Sequence, residues 1–207
     1  LVLSNASNAY TGTTTLRSGT LQIDANAPSG AVGALGNSTS AVIVNDASTT
    51  AAMDTSLLIG ASGVTVGRAV TVGSQGDVTT LGSNIASGTG TFSGAITLNK
   101  SVDLIAAGTS VITFSGALTD GTGTANLTKT GTGTVVLSNA GNTYDGATSI
   151  NAGTLRLGAA QVITNNSAVT VAAAAVLGLN GFSETIGSLA GSGNVTGTSG
   201  TPTLTAG

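Results

Sequence analysis

The sequence predicts an all-β fold in which one continuous chain winds into a solenoid of stacked coils, about 22 residues per coil. Three observations predict it. First, residues 1–23 and 135–157 align without a gap at an offset of 134, and 12 of the 23 positions are identical. Self-similarity of this kind marks an array built from one supersecondary unit. Second, Thr91-Phe92-Ser93-Gly94-Ala95-Ile96 returns 22 residues later as Thr113-Phe114-Ser115-Gly116-Ala117-Leu118, and the runs 42–44 and 64–66 share that spacing. Six such steps make 132, so the long repeat is expected to span six coils, and 207 residues make roughly nine. At about 4.8 Å between paired strands, nine coils form a rod about 45 Å long. Third, Gly, Ala, Ser and Thr fill 121 of 207 positions and only five residues are aromatic. A compact globule has too little bulk to bury on those terms. Yet hydrophobic residues reach 40% and mean hydropathy is +0.40, which is not the low-hydrophobicity, high-charge signature of disorder. A narrow rod with a thin aliphatic core satisfies both facts.

The strands follow from short β-branched runs set between Gly, Asn and Ser corners. In chain order these are Thr13–Leu16, Thr20–Ile23, Ala41–Val44, Leu57–Ile59, Val64–Val66, Val70–Val72, Thr109–Phe114, Thr134–Leu137, Thr154–Leu157 and Val169–Val171. The Ala-rich run 171–179 reads as a strand passing a tight corner of small residues, because alternation precedes it and Gly178 and Gly181 follow. Pro28 and Pro202 fall between strands, where a missing amide donor does no harm. The glycine pairs Gly121/Gly123, Gly131/Gly133 and Gly191/Gly193 are expected to supply positive φ at corners. No domain boundary is visible, so residues 1–207 read as one array. The stretch 127–134 before the second copy has no counterpart ahead of Leu1, so the chain reads as a piece of a longer one.

Composition also excludes functions. Five cations (Arg17, Arg68, Lys100, Lys129, Arg156) cannot make the basic footprint that nucleic acids require. No apolar stretch approaches the roughly 20 residues of a membrane-spanning helix. Cysteine and histidine are absent, which removes disulfides, thiolate–metal sites and the commonest acid–base groups.

The segment 127–157, LTKTGTGTVVLSNAGNTYDGATSINAGTLRL, resembles the autotransporter-associated β-strand repeat, also called the passenger-associated transport repeat. Gly181–Val195 resembles the segment that commonly follows it. The first copy keeps Asn8, Tyr10, Gly12, Gly19, Thr20 and Leu21, with Ser7 where the second has Gly141 and Arg17 where it has Asn151. The resemblance implies a right-handed parallel β-helix in a secreted or surface-displayed bacterial passenger, typically an adhesin, stalk or spacer. It covers residues 1–23 and roughly 108–207.

Asp24 and Asp46 lie 22 apart and could stack on neighbouring coils, where like charge would raise one pKa. Their flanking patterns are out of phase by one residue, so a solvated corner is expected for each. Asp120, Asp145 and Glu184 sit beside Gly or Thr and read as turn acids. Asp120-Gly121 and Asp145-Gly146 offer oxygens for calcium, but the Gly-rich nonapeptide of calcium-binding coils is absent. The threonine clusters at 128, 130, 132, 134 and at 201, 203, 205 do not recur at 22, as an ice-binding face would need. Asn5, Asn8, Asn139 and Asn142 are expected at corners, bonding neighbouring backbone. Tyr10 and Tyr144 read as corner packing, with sugar stacking as the alternative. Phe92 and Phe114 are expected to stack inside the rod. No catalytic residue, metal ligand or cofactor is assigned.

The reading is therefore a non-enzymatic, structural solenoid segment of an extracellular adhesin, stalk or fibre at the bacterial surface. The alternative is a polysaccharide-acting or glycan-binding β-helix. Expected partners are further coils of the same chain, a second copy stacking end to end into filaments, or host and extracellular-matrix surfaces. Bare solenoid ends leave open strand edges that invite such pairing.

Overall fold

The computed structural model describes all residues, 1–207. It contains 23 strands and no helix. Every paired strand runs parallel to its neighbours, so the chain climbs one coil at a time. Each full coil crosses three sides. The longest sheet has nine strands: Val2–Leu3, Gly19–Ile23, Thr55–Ile59, Thr79–Ser83, Val102–Ala106, Leu127–Thr130, Thr148–Ile150, Ala168–Val171 and Ser188–Gly191. A seven-stranded second sheet starts at Val64–Val66 and ends at Asn194–Thr196. The third side carries five strands, from Thr15–Leu16 to Leu118–Asp120. In the coil order, the two-stranded sheet of Glu184–Ile186 and Leu204–Ala206 falls at the same place.

Alternation explains why such small residues suffice. In Thr55–Ile59 the pattern is buried, half-buried, buried, half-buried, buried, the period of two that separates a core face from an outer face. Inward positions then stack in register across coils. One such lane runs Leu21, Leu57, Leu81, Leu104, Lys129, Ile150, Val171. A buried aliphatic side chain contributes roughly 1.5–3 kcal/mol, and 40 buried residues form one continuous core. On the second sheet Phe92 lies over Phe114 with ring centroids 5.0 Å apart and planes 5° from parallel. The expected internal stack is present.

Steps of 22 occur as expected, from Phe92 to Phe114 for instance, but coil length varies, and this corrects two expectations. Leu21 pairs with Leu57, a step of 36, while Ala168 pairs with Ser188, a step of 20. The long step holds the insertions around 24–41 and 45–54. The runs 42–44 and 64–66 do not stack: the first pairs with Val70–Val72 on the third side, the second with Thr89–Phe92 on the second. Lastly, the 134-residue repeat spans five coils and one further side, not six coils. Val2–Leu3 lies on the first sheet, whereas its counterpart 136–137 lies on the second. The same sequence is thus reused after a rotation by one side.

Four strands match the sequence expectation residue for residue (Val64–Val66, Val70–Val72, Thr134–Leu137 and Thr154–Leu157). The alanine run turns as expected: the strand ends at Val171, Ala174 takes φ 65°, and the next strand starts at Val176. Of the glycine pairs, only the leading members Gly131 (φ 74°) and Gly191 (φ 106°) adopt positive φ. At Gly191 a Cβ would sit 2.0 Å from the Val171 carbonyl oxygen, so the strand stacks too closely there for any side chain.

Candidate functional site

The repeated motif builds its geometry from the residues upward. Strand Thr134–Leu137 ends in Ser138, and Asn139 then makes a turn by accepting the Gly141 N–H at 2.8 Å. Its amide nitrogen donates to the Ser115 carbonyl of the coil below, at 2.9 Å. Asn142 goes further. Its Oδ1 accepts the Leu118 N–H (2.9 Å) and its Nδ2 donates to the Val162 carbonyl (2.7 Å). One carboxamide carries both a donor and an acceptor, so it stands in for a main-chain pair where the third side has no strand.

Tyr144 follows, fully buried. Its hydroxyl bonds Thr148 Oγ1 at 3.0 Å, Thr148 bonds Ser167 Oγ at 2.9 Å, and Ser167 donates to the Gly146 carbonyl at 2.9 Å. Burial pushes the phenol well above its ordinary range. A ring enclosed in this way packs and does not stack on a sugar. The asparagines are corner residues, as expected.

Two charged side chains lie inside the rod, and sequence reasoning missed both. Lys129 is 1% exposed in the leucine lane, between Leu104 and Ile150. Its Nζ donates to the carbonyls of Thr130 (2.7 Å), Gly131 (2.8 Å) and Ala152 (3.0 Å). With no carboxylate beside it, burial lowers its pKa to about 8. The signal was present: Leu127 and Lys129 share an alternation phase, so a strand that buries one buries the other. Arg68, also buried, pins the insertion by donating from Nε to Ser40 O (2.9 Å) and from Nη1 to Leu35 O (2.6 Å).

The carboxylates do not gather. Asp46 pairs with Arg17 at 2.6 Å, and that guanidinium holds its carboxyl below the usual range. Asp24 instead accepts from Gln22 Nε2 at 2.8 Å. Asp120 accepts the Asp145 N–H at 2.9 Å and the Ala125 N–H at 3.2 Å, which makes it a turn acid. Nowhere do three or more acids approach as a metal cluster would. Glu184 corrects the turn-acid reading. It lies in a strand, 1% exposed, with Oε2 accepting the Val162 N–H at 3.0 Å. Alternation points it inward along with Ile186.

A continuous parallel stack with side-chain-bridged corners defines a β-solenoid repeat protein. Residues 1–23 and 127–157 match the profile of the passenger-associated-transport-repeat family. The chain is 35% identical over 193 residues to the adhesin BmaC autotransporter of Brucella suis biovar 1 (strain 1330). That alignment covers 92% of this chain and 5% of the relative. No solved structure matches. Two segments of the chain thus match the passenger-associated transport repeat, and the chain spans about 5% of the length of the autotransporter adhesin to which it is similar. No helix is long and apolar enough to cross a membrane.

Proposed function

We propose that this chain is a structural length of a bacterial surface adhesin, displayed outside the cell, that spans distance and carries other parts. The observation that carries the reading is the nine-stranded sheet running from Val2 to Gly191, bonded coil to coil along the rod. Such a stack resists local opening, because each interior coil is paired on both sides. Likeness to an autotransporter adhesin supports the surface setting. The work is mechanical and needs no catalyst.

The partners we propose are more coils. Leu1, Val2 and Tyr10 are exposed at one end, and Leu189 and Val195 at the other. An open cleft of about 510 Å³ lies among Leu1, Leu3, Tyr10, Leu16 and Leu21. Parallel edges flanked by uncovered core residues accept a further coil, whether of the same chain or of a second copy. Host or matrix surfaces would be engaged by parts that the rod presents.

Negative-stain electron microscopy with limited proteolysis tests both points. We expect protease-resistant rods that join end to end. Short monodisperse rods would remove self-stacking and leave the spacer role standing. Round, readily cleaved particles would remove both.

A further inference from the structure

Between Leu118–Asp120 and Glu184–Ile186 the third side of the solenoid has no strand for two coils. Side chains bridge that gap, joined at its first step by one main-chain bond from the Thr143 N–H to the Leu118 carbonyl at 2.9 Å. The Leu118 N–H donates to Asn142, Asn142 donates to the Val162 carbonyl, and the Val162 N–H donates to Glu184. Asn142 is permanently neutral, whereas the last link is a titratable acid. Glu184 is the single carboxyl among the buried residues.

Its surroundings are one-sided. Oε2 takes the Val162 amide, but Oε1 is buried without any partner, as is Thr164 Oγ1 two residues beyond Val162. Above Glu184 the paired strand places Leu204. Below it run Val162, Ile163 and Thr164, none of them charged. Tyr144 is the titratable group that faces it, with its hydroxyl already committed to Thr148. No cation is at hand: burial and backbone amides alone shift the Glu184 carboxyl, and Lys129 is bound to three carbonyls. A buried carboxylate with an unpaired oxygen and no counter-charge is unstable relative to the neutral acid.

We propose that Glu184 is a proton-operated clamp: as the neutral acid it closes the strand-less side of the rod, and on ionisation it loosens the coils from Val162 onward. Geometry limits the effect to this region, because every earlier coil from Leu16 to Asp120 on that side is joined by main-chain pairing. Burial raises the Glu184 carboxyl above its ordinary value, and the bond from the Val162 amide, with the nearby amides of Ile163 and Thr185, offsets part of the rise. A raised folded value means the folded state holds the proton more tightly than the unfolded chain. The stabilisation is therefore complete at acid pH and is lost as pH climbs through the folded value.

The test compares wild type with Glu184→Gln, which keeps an acceptor for the Val162 amide and cannot ionise. Hydrogen exchange at Val162, corrected for intrinsic rates, is followed from pH 4 to pH 8. Each unit by which the folded carboxyl is raised corresponds to about a tenfold loss of protection across that range. We expect protection to fall as pH rises in wild type and to stay level in E184Q, while Val72 and Leu98 on the same side stay level in both. Parallel pH profiles in the two proteins would overturn the clamp. Should E184Q not fold, the carboxyl carbon shift of Glu184 in wild type decides. Titration well above the ordinary glutamate range supports the clamp, and titration within that range refutes it.

Discussion

The two copies of the repeat, Leu1–Ile23 and Val135–Leu157, share their local bonding and differ in what covers them. In each, an asparagine closes the same turn: Ser7 N–H to Asn5 at 2.9 Å, Gly141 N–H to Asn139 at 2.8 Å. In each, a tyrosine hydroxyl meets the threonine four residues on, at 2.9 Å for Tyr10 and 3.0 Å for Tyr144. Yet Tyr10 is 42% exposed and Tyr144 is 0%. Asn142 takes the Leu118 N–H from the coil below, while Asn8, with no such coil among residues 1–207, accepts from its neighbour Asn5 at 3.1 Å. The copies also lie one side apart around the rod. The motif therefore encodes a corner that works on any side, and the neighbouring coils decide what that corner contributes to stability.

The largest expected contrast lies in the tyrosines. Tyr144→Ala should cost about 3–5 kcal/mol in denaturant unfolding, as for other large buried rings, because it also leaves Thr148 short of a partner. Tyr10→Ala should cost less than about 1 kcal/mol. Equal losses would show that the motif acts through its own bonds and not through coverage. Next come the asparagines. Asn142→Ala strands a buried N–H and a buried carbonyl, at about 1–3 kcal/mol each, whereas Asn8→Ala gives up a half-buried bond to Ala34, worth about 1 kcal/mol, and an exposed one from Asn5.

The smallest effect at neutral pH belongs to Lys129, which lies just ahead of the second copy. Lys129→Met trades three carbonyl bonds for an aliphatic fit beside Leu104 and Ile150, two changes that oppose each other. The pH dependence is more telling. With its folded pKa lowered to about 8, the folded state gives up this proton more readily than the unfolded chain. Wild-type stability should therefore gain from this residue as pH rises from about 8 toward the ordinary lysine value. Thermal melts of the methionine variant should lack that gain, and an unchanged slope would place the ammonium in water.

Much of the fold was legible from two kinds of residue. Aromatic and β-branched echoes such as Phe92/Phe114 mark register directly, because only in-register stacking buries both rings. Among the strands absent from the sequence reading, Ile96–Leu98 and Val102–Ala106 alternate plainly, whereas two others have residues that say little. Thr79–Ser83 has a single aliphatic side chain, Leu81, and is a strand because Leu57 and Leu104 sandwich it. Ser188–Gly191, exposed throughout, pairs onto Ala168–Val171. The false echo of 42–44 with 64–66 has the converse cause. Coil length varies from 20 to 36 as insertions enter, so equal spacing alone does not place two runs on one side.

By itself, the sequence determined the parallel stacking, the corner chemistry of Asn139 and Tyr144, and the resemblance of two segments to the transport repeat. Those rest on local bonding and on alternation, which short stretches of chain contain in full. Only the tertiary structure decided that Lys129 and Glu184 lie inside, that the second copy is turned by one side, and that a carboxamide and a carboxyl replace missing strands. Burial, and with it the protonation of these groups, is a property of the coils above and below, and no single coil holds that information.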